Sequence, residues 1–247
     1  MGRLIILSGP SCVGKSPLDK ALARFYPHLR ENLQPLVLYN SRPPRPGEKD
    51  GVDYHFRQRK QIEALKKKQH FVVMEVRGDL HALDIDQLIT QLGKGDVFFE
   101  GNPFVGRVLQ THENLQHISR LSTFISPVSR QELIELSDPG NHADAKKIIT
   151  EIMRRKLLRR TRKQKGELSL KDLENIETRA GSAFTELRQA HHFNHIIPNH
   201  DGEDSENWDA FYYPLGDARR TLLAFAGLLE GKESPLIEKW EADFPKD

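Results

Sequence analysis

The 247 residues carry 37 Lys and Arg against 35 Asp and Glu, a formal net charge of +2, with 37% hydrophobic and 29% charged residues. That balance suits one sizeable α/β domain, speaks against disorder throughout, and calls for neither a nucleic-acid nor a membrane partner. The lone cysteine, Cys12, excludes an intrachain disulfide framework, and no apolar run approaches the roughly twenty residues of a membrane span, so the cytoplasm is the expected location.

Residues 4–7 read as a buried strand that runs into Gly9-Pro10-Ser11-Cys12-Val13-Gly14-Lys15-Ser16 and then into a helix over 17–25. The loop fits Gly, four residues, Gly-Lys-Ser/Thr at every fixed position. Glycines let backbone N–H groups converge on phosphate oxygens, and the following helix turns its positive end on the same anion. Gly9, Ser11, Cys12, Val13, Gly14, Lys15 and Ser16 are therefore the expected triphosphate site, with Lys15 on the β- and γ-phosphates and the Ser16 hydroxyl on Mg²⁺. Pro17 departs from this pattern: it has no N–H to give to the α-phosphate, which weakens the site, but a first helical turn tolerates it.

A second strand is predicted over 35–39, followed by the loop Ser41-Arg42-Pro43-Pro44-Arg45-Pro46-Gly47-Glu48. A short strand over 51–56, a lysine-rich helix over 58–69 and a strand over 71–76 would make a small inserted lobe. Further buried strands are predicted over 96–100, ending in Glu100, and over 121–125, with a helix from about Ser129. Alternating strands and helices imply a parallel sheet with helices on both faces, and ligands gather at the carboxyl ends of such strands, where Glu100 and the loop at Gly9 would meet.

Helical patterns cover 144–163 and 169–190, and residues 193–197 supply a last strand. The first of these helices carries Arg154, Arg155, Lys156, Arg159, Arg160, Arg162 and Lys163, with Lys165 just beyond. Three readings stand: a solvated face, a nucleic-acid surface, or a mobile lid whose arginines close over phosphate, which the phosphate loop favours. Residues 201–207 read as a linker, and Trp208, Phe211, Tyr212, Tyr213 and Trp240 beyond it as packing anchors, a homodimer contact being one use of them. His191, His192, His195 and His200 span a helix end and a strand and are not expected to converge on a metal.

The phosphate loop, followed by Ser41 to Glu48 and then Gly51-Val52-Asp53-Tyr54-His55-Phe56, resembles guanylate kinases over roughly residues 3 to 200. The resemblance implies a P-loop NTPase fold: a core (1–38 and 84–143), an acceptor-binding lobe (39–83), a helical lid (144–190) and a last core strand (193–199), leaving 201–247 as a C-terminal helical extension. It implies ATP and Mg²⁺ as cofactors and a nucleoside monophosphate, GMP first, as acceptor. A kinase of the same fold acting on another small acceptor, or a nucleotide-binding protein without turnover, are the alternatives.

Carried onto this sequence, the family's motif gives Ser41, Arg42, Arg45 and Tyr54 to the acceptor, with Glu48 steadying the loop. Arg159 or Arg160, with Arg179, stand for the lid and transfer arginines, Asn199 lies near adenine, and Glu100 is an acid for Mg²⁺-bound water or the acceptor. The chain departs from the family where Val73 replaces the base-reading glutamate, His81 a tyrosine and Asn102 an aspartate. Glu75, on the same strand face as Val73, is the substitute carboxylate.

Overall fold

In the computed structural model, all residues are described except Pro46, 138–143, Asp243 and 246–247. Pro46 of the arginine loop and the end of the expected core segment, 138–143, therefore lie outside the described residues. In chain order the elements are β1 (Leu4–Ser8), α1 (Lys15–Phe25), α2 (Pro27–Arg30), β2 (Gln34–Pro35), β3 (Tyr39–Asn40), β4 (His55–Phe56), α3 (Arg59–Leu65), β5 (Phe71–Val76), β6 (Asp79–Asp84), α4 (Ile85–Leu92), β7 (Val97–Gly101), α5 (Pro103–Thr111), β8 (Arg120–Ser126), α6 (Arg130–Leu136), α7 (Ala145–Lys165), α8 (Leu170–Gly181), α9 (Ala183–Leu187), β9 (His195–Pro198) and α10 (Gly216–Leu229).

Strands β2-β7-β1-β8-β9 form a parallel sheet, and β4-β3-β6-β5 a second, smaller one. Residues 4–7 read as an unbroken apolar run because both faces of β1 are covered. Leu4 and Ile6 pack with Val97, Phe99 and Phe124, while Ile5 and Leu7 pack with Leu18, Leu22 and Ile125. That second cluster is completed by Trp208 and by Ala218, Leu222 and Phe225 of α10. The chain after β9 is thus built into the core, and Glu238 further on exchanges backbone hydrogen bonds with Ile196 at 2.8 and 3.0 Å.

The second sheet has its own apolar centre, Ile62, Leu80 and Ala82. The strand predicted over 35–39 is split between the sheets: Pro35 pairs with Phe98 of β7, whereas Tyr39 pairs with His55 and Ala82. Burial on both sides of the crossing hides the change of sheet from a hydrophobic pattern. The strand predicted over 51–56 shrinks to two residues because Gly51, at φ 78, turns the chain.

Strand β6 and helices α4 and α5 were not predicted. The turn from β5 to β6 is Arg77-Gly78, both residues at positive φ (53 and 84), and Arg-Gly is not one of the dipeptides that announce such a turn. The start signals of the two helices are present: Asp84 accepts from the Gln87 N–H at 3.0 Å, and Asn102 accepts from the Phe104 N–H at 2.9 Å with Pro103 behind it. The helix predicted over 169–190 breaks at Ser182 into α8 and α9.

Candidate functional site: a cleft between the two sheets

A cleft of about 430 Å³ lies where the carboxyl ends of β1 and β7 face the second sheet. One end is the loop after β1. Gly9 and Gly14 sit at φ 151 and 101; a Cβ on Gly9 would lie 2.4 Å from the Ile125 carbonyl oxygen, and one on Gly14 2.6 Å from Asn199 Nδ2. Lys15, the first residue of α1, is buried, and its ammonium donates to the carbonyls of Gly9 (2.9 Å) and Pro10 (2.8 Å). Burial lowers its pKa against the opposing pull of Glu203 and Glu100. The Ser16 hydroxyl donates to Glu100 Oε1 at 2.8 Å. Burial raises the Glu100 pKa despite Lys15 and that hydrogen bond.

Pro17 breaks no helical bond, since the first one runs from the Leu18 N–H to the Gly14 carbonyl at 3.0 Å. Cys12, at φ 67, is buried with its thiol pushed up to about 12 by burial and by Glu203, which keeps it protonated and unreactive at neutral pH. Asn199, expected near adenine, is fully buried and holds the loop instead: Nδ2 donates to the carbonyls of Val13 (2.8 Å) and Asp201 (2.7 Å).

The opposite end is the arginine loop. Arg42 forks onto both carboxylate oxygens of Glu48 at 2.6 and 2.7 Å, and Glu48 also accepts the Arg45 N–H at 2.7 Å. The Arg42 guanidinium stacks on Tyr54 and Phe56, 5.2 and 5.4 Å from their centroids. Arg45 faces the cleft and has no ion pair among the described residues; burial and the neighbouring Arg42 lower its pKa. Tyr54 lines the same wall, its phenol pKa raised by burial. Ser41, expected beside them, is spent on the sheet: its hydroxyl accepts the Leu80 N–H at 2.8 Å.

Glu75 is not in the cleft. Its side chain is 56% exposed and pairs with Arg59 at 3.1 Å on the outer side of the lobe, because Val73 and Glu75 share the β5 face that covers α3. Strand β6 supplies the cleft's polar groups instead. Asp79 lines it without a hydrogen bond or ion pair among the described residues, and burial raises its pKa despite nearby Arg42 and Arg45. His81 is buried with Nε2 3.4 Å from Asn40 Nδ2 and with Nδ1 unpartnered among the described residues; burial, then Arg42 and Arg77, take it to about 4, so the imidazole is neutral.

Helices α7 and α8 close the cleft. Arg160 lines it and pairs with Glu203 at 2.8 Å, whereas Arg159 is 73% exposed and only 3.8 Å from Asp204. Arg179 Nε donates to Ser11 Oγ at 3.0 Å, and burial with Arg160, Arg45 and Arg77 lowers its pKa to about 9. The supposed linker is an acidic wall opposite the basic helix: Asp204 is largely buried 4.0 Å from Lys156, which also donates to the His200 carbonyl. Sequence reasoning missed Glu203, Asp204, Asp79 and Arg77; for the first two, an acidic pair after the last strand of a chain with so basic a helix was the available signal.

The four histidines stay apart from any metal geometry. His200 lies between Asp217 (2.5 Å) and Glu132 (2.9 Å), and the rings of His191 and His192 stack 3.9 Å apart. Among the described residues no group of three or more His, Cys, Asp or Glu could hold a metal, and no helix is long and apolar enough to cross a membrane.

The family model described as guanylate kinase matches residues 1–156. The chain belongs to the guanylate kinase family. It is 37% identical to the guanylate kinase of Alkalilimnicola ehrlichii over 134 residues, 53% of this chain and 62% of that protein. It is 38% identical to that of Bacillus anthracis over 101 residues, 40% of this chain and 48% of that one. With the guanylate kinase of Rickettsia bellii the match is 28% over 206 residues, covering 83% and 89%. The chain thus spans from about half to three fifths of the first two relatives.

A crystal structure of the guanylate kinase from Anaplasma phagocytophilum superposes with a TM-score of 0.54 at 18% identity, covering 93% of this chain and 85% of that one. The fold is therefore the P-loop NTPase fold of guanylate kinases, a parallel sheet flanked by helices. In this member of the family the β5 residue that lines the cleft is Val76, and its acids come from α1 (Asp19), the segment between β3 and β4 (Glu48 and Asp53), β6 (Asp79), β7 (Glu100) and the segment after β9 (Glu203).

Proposed function

We propose that this guanylate-kinase family member transfers the γ-phosphoryl group of ATP to the phosphate of GMP. The observation that carries this is a single cleft with phosphate-binding groups at both ends, Lys15 on its glycine loop and Arg45 beside the Arg42–Glu48 fork. Two of the three Lys15 N–H donors are used on the loop, which leaves one for a phosphate oxygen. The bond between the γ-phosphorus and the β-bridging oxygen breaks, its electrons stay with ADP, and a new P–O bond forms to the acceptor phosphate, giving GDP. An ionised phosphate is already a nucleophile, so no general base is needed, and what the residues supply is position and positive charge.

In this reading Arg45, Arg42 and Tyr54 hold the acceptor phosphate, and Arg160 and Arg179 face the group in transfer. Residues 39–83 act as the acceptor lobe and 144–190 as the lid. Asp79 takes the place in the cleft that Glu75 does not, accepting the N1–H and 2-amino donors of guanine. Ser16 and Glu100, 2.8 Å apart, with Asp19 on the same wall, are oxygen donors that suit Mg²⁺ completed by phosphate oxygens. Mg²⁺ held there would neutralise charge on the phosphates. The lone, buried cysteine supports placing the protein in the reducing cytoplasm.

A second reading, a different phosphorylated acceptor, is favoured by Val76, the β5 residue that lines the cleft and offers guanine no carboxylate. A coupled assay for ADP, run with ATP and a panel of nucleoside monophosphates and sugar phosphates on the parent and on Lys15→Ala, separates them. Turnover with GMP that Lys15→Ala abolishes is the expected result; turnover only with another acceptor selects the second reading, and ATP binding without turnover contradicts both.

A further inference from the structure

The tip of the β5–β6 hairpin carries an arginine that neither phosphate motif contains. Arg77 is held at φ 53, a left-handed conformation unfavourable for a residue with a side chain. From that turn its guanidinium leaves the lobe and enters the core. Nε donates to Glu186 Oε1 at 2.7 Å and to Ser182 Oγ at 3.0 Å, Nη2 pairs with Glu186, and Nη1 donates to Ser11 Oγ at 2.8 Å.

Glu186, on α9, is fully buried, and its Oε1 also accepts from Asn102 Nδ2 and Ser182 Oγ, both at 3.0 Å, while Oε2 is unpartnered among the described residues. A buried carboxylate of this kind is strongly destabilising unless a cation meets it, and the cation here comes from the opposite sheet. The pair therefore exists only with the hairpin against the core, as it is in this structure.

Ser11 decides what the arrangement is for. Its hydroxyl, in the phosphate loop, accepts from Arg77 Nη1 and Arg179 Nε together. An uncharged oxygen is a weak partner for two guanidiniums that repel each other, whereas a phosphoryl oxygen would satisfy both. Arg77 also lines the cleft, and Nη1 has a second N–H.

We infer that Arg77 is a further catalytic arginine, supplied by the acceptor lobe and held by Glu186, that contacts the phosphoryl group as its bond to ADP breaks and its bond to the acceptor oxygen forms. This rests on the kinase reading above. Because the hairpin brings it, its charge arrives only when the lobe is closed, which ties charge neutralisation to acceptor binding.

The test uses the double variant Arg77→Ala/Glu186→Gln, which removes both members of the buried pair, and Arg77→Lys, which keeps a charge beside Glu186 but cannot serve Glu186 and the phosphoryl group at once. In the folded double variant kcat with ATP and GMP should fall about a hundredfold and MgATP should bind about tenfold more weakly by calorimetry, with added guanidinium restoring part of the rate. Arg77→Lys should lose about tenfold in kcat. Turnover within about threefold of the parent in either folded variant overturns the role of Arg77 and leaves the kinase reading standing. A parent that turns over with no acceptor removes the kinase reading instead; MgATP affinity then decides, a tenfold loss upholding the phosphate contact and an unchanged value overturning it.

Discussion

At the end of the cleft proposed for ATP the loop offers main-chain N–H groups and one ammonium, fixed by Gly9, Gly14 and the start of α1. At the opposite end the cleft is lined by side chains, Arg45 on a loop and Asp79 and His81 on one face of β6, of which only the arginine suits a phosphate. The first kind of site tolerates the side chains of Cys12 and Val13 because it works through the backbone, and for the same reason Pro17, which breaks no helical bond, costs it one N–H. The second depends on which way each strand residue points, and it is here that the chain departs from its family.

The largest separation of the two ends should come from Lys15→Ala. It removes the buried ammonium without touching the arginine loop, so kcat should fall about a thousandfold while GMP affinity, measured by calorimetry, stays within about threefold. A comparable loss of GMP affinity would mean that the ends are not independent. The acceptor end is sharpened by a pair of substitutions: Asp79→Asn should raise the KM for GMP about tenfold or more, whereas Glu75→Gln should change it less than about twofold. Initial rates that show the reverse would place β5, not β6, against the base.

The smallest effect lies outside both ends. Burial alone would lower the pKa of His200, but its hydrogen bonds and charge contacts with Asp217 and Glu132 raise it. A folded-state pKa above the unfolded value of about 6.5 gives stability that is complete below that pH and lost as pH rises through the folded value. The melting temperature of the parent should therefore drop between about pH 6 and 8 by a degree or two more than that of His200→Gln, with no change in either KM. Parallel pH dependences of the melting temperature in the two proteins would remove the stabilising charge of His200 from the account.

What could be read from the chain alone follows the same division. Spacing was enough for the phosphate loop, for β5 over 71–76, and for a helix from about Ser129, whose hydroxyl caps α6 by accepting the Glu132 N–H at 3.2 Å. The resemblance gave Glu48 the steadying of its loop, but that Arg42 is the group it holds became visible only in the fold. Glu75 was misplaced because an unrecognised Arg77-Gly78 turn hid β6, and with it the strand that faces the cleft. Arg159 and Arg160 could not be told apart by position, though adjacent helix residues point about 100° apart and only one lines the cleft. The segment 201–207 read as a linker because Glu203 and Asp204 are paired with cations more than forty residues away.

The assignment of one phosphate to each end of the cleft is tested most directly by initial-rate kinetics of Arg45→Ala with ATP and GMP varied in turn. Loss of a cleft-facing guanidinium with no ion pair among the described residues should raise the KM for GMP about tenfold or more and leave the KM for ATP within about twofold. A KM for GMP unchanged from the parent, or a rise confined to ATP, would contradict the assignment of the arginine loop to the acceptor.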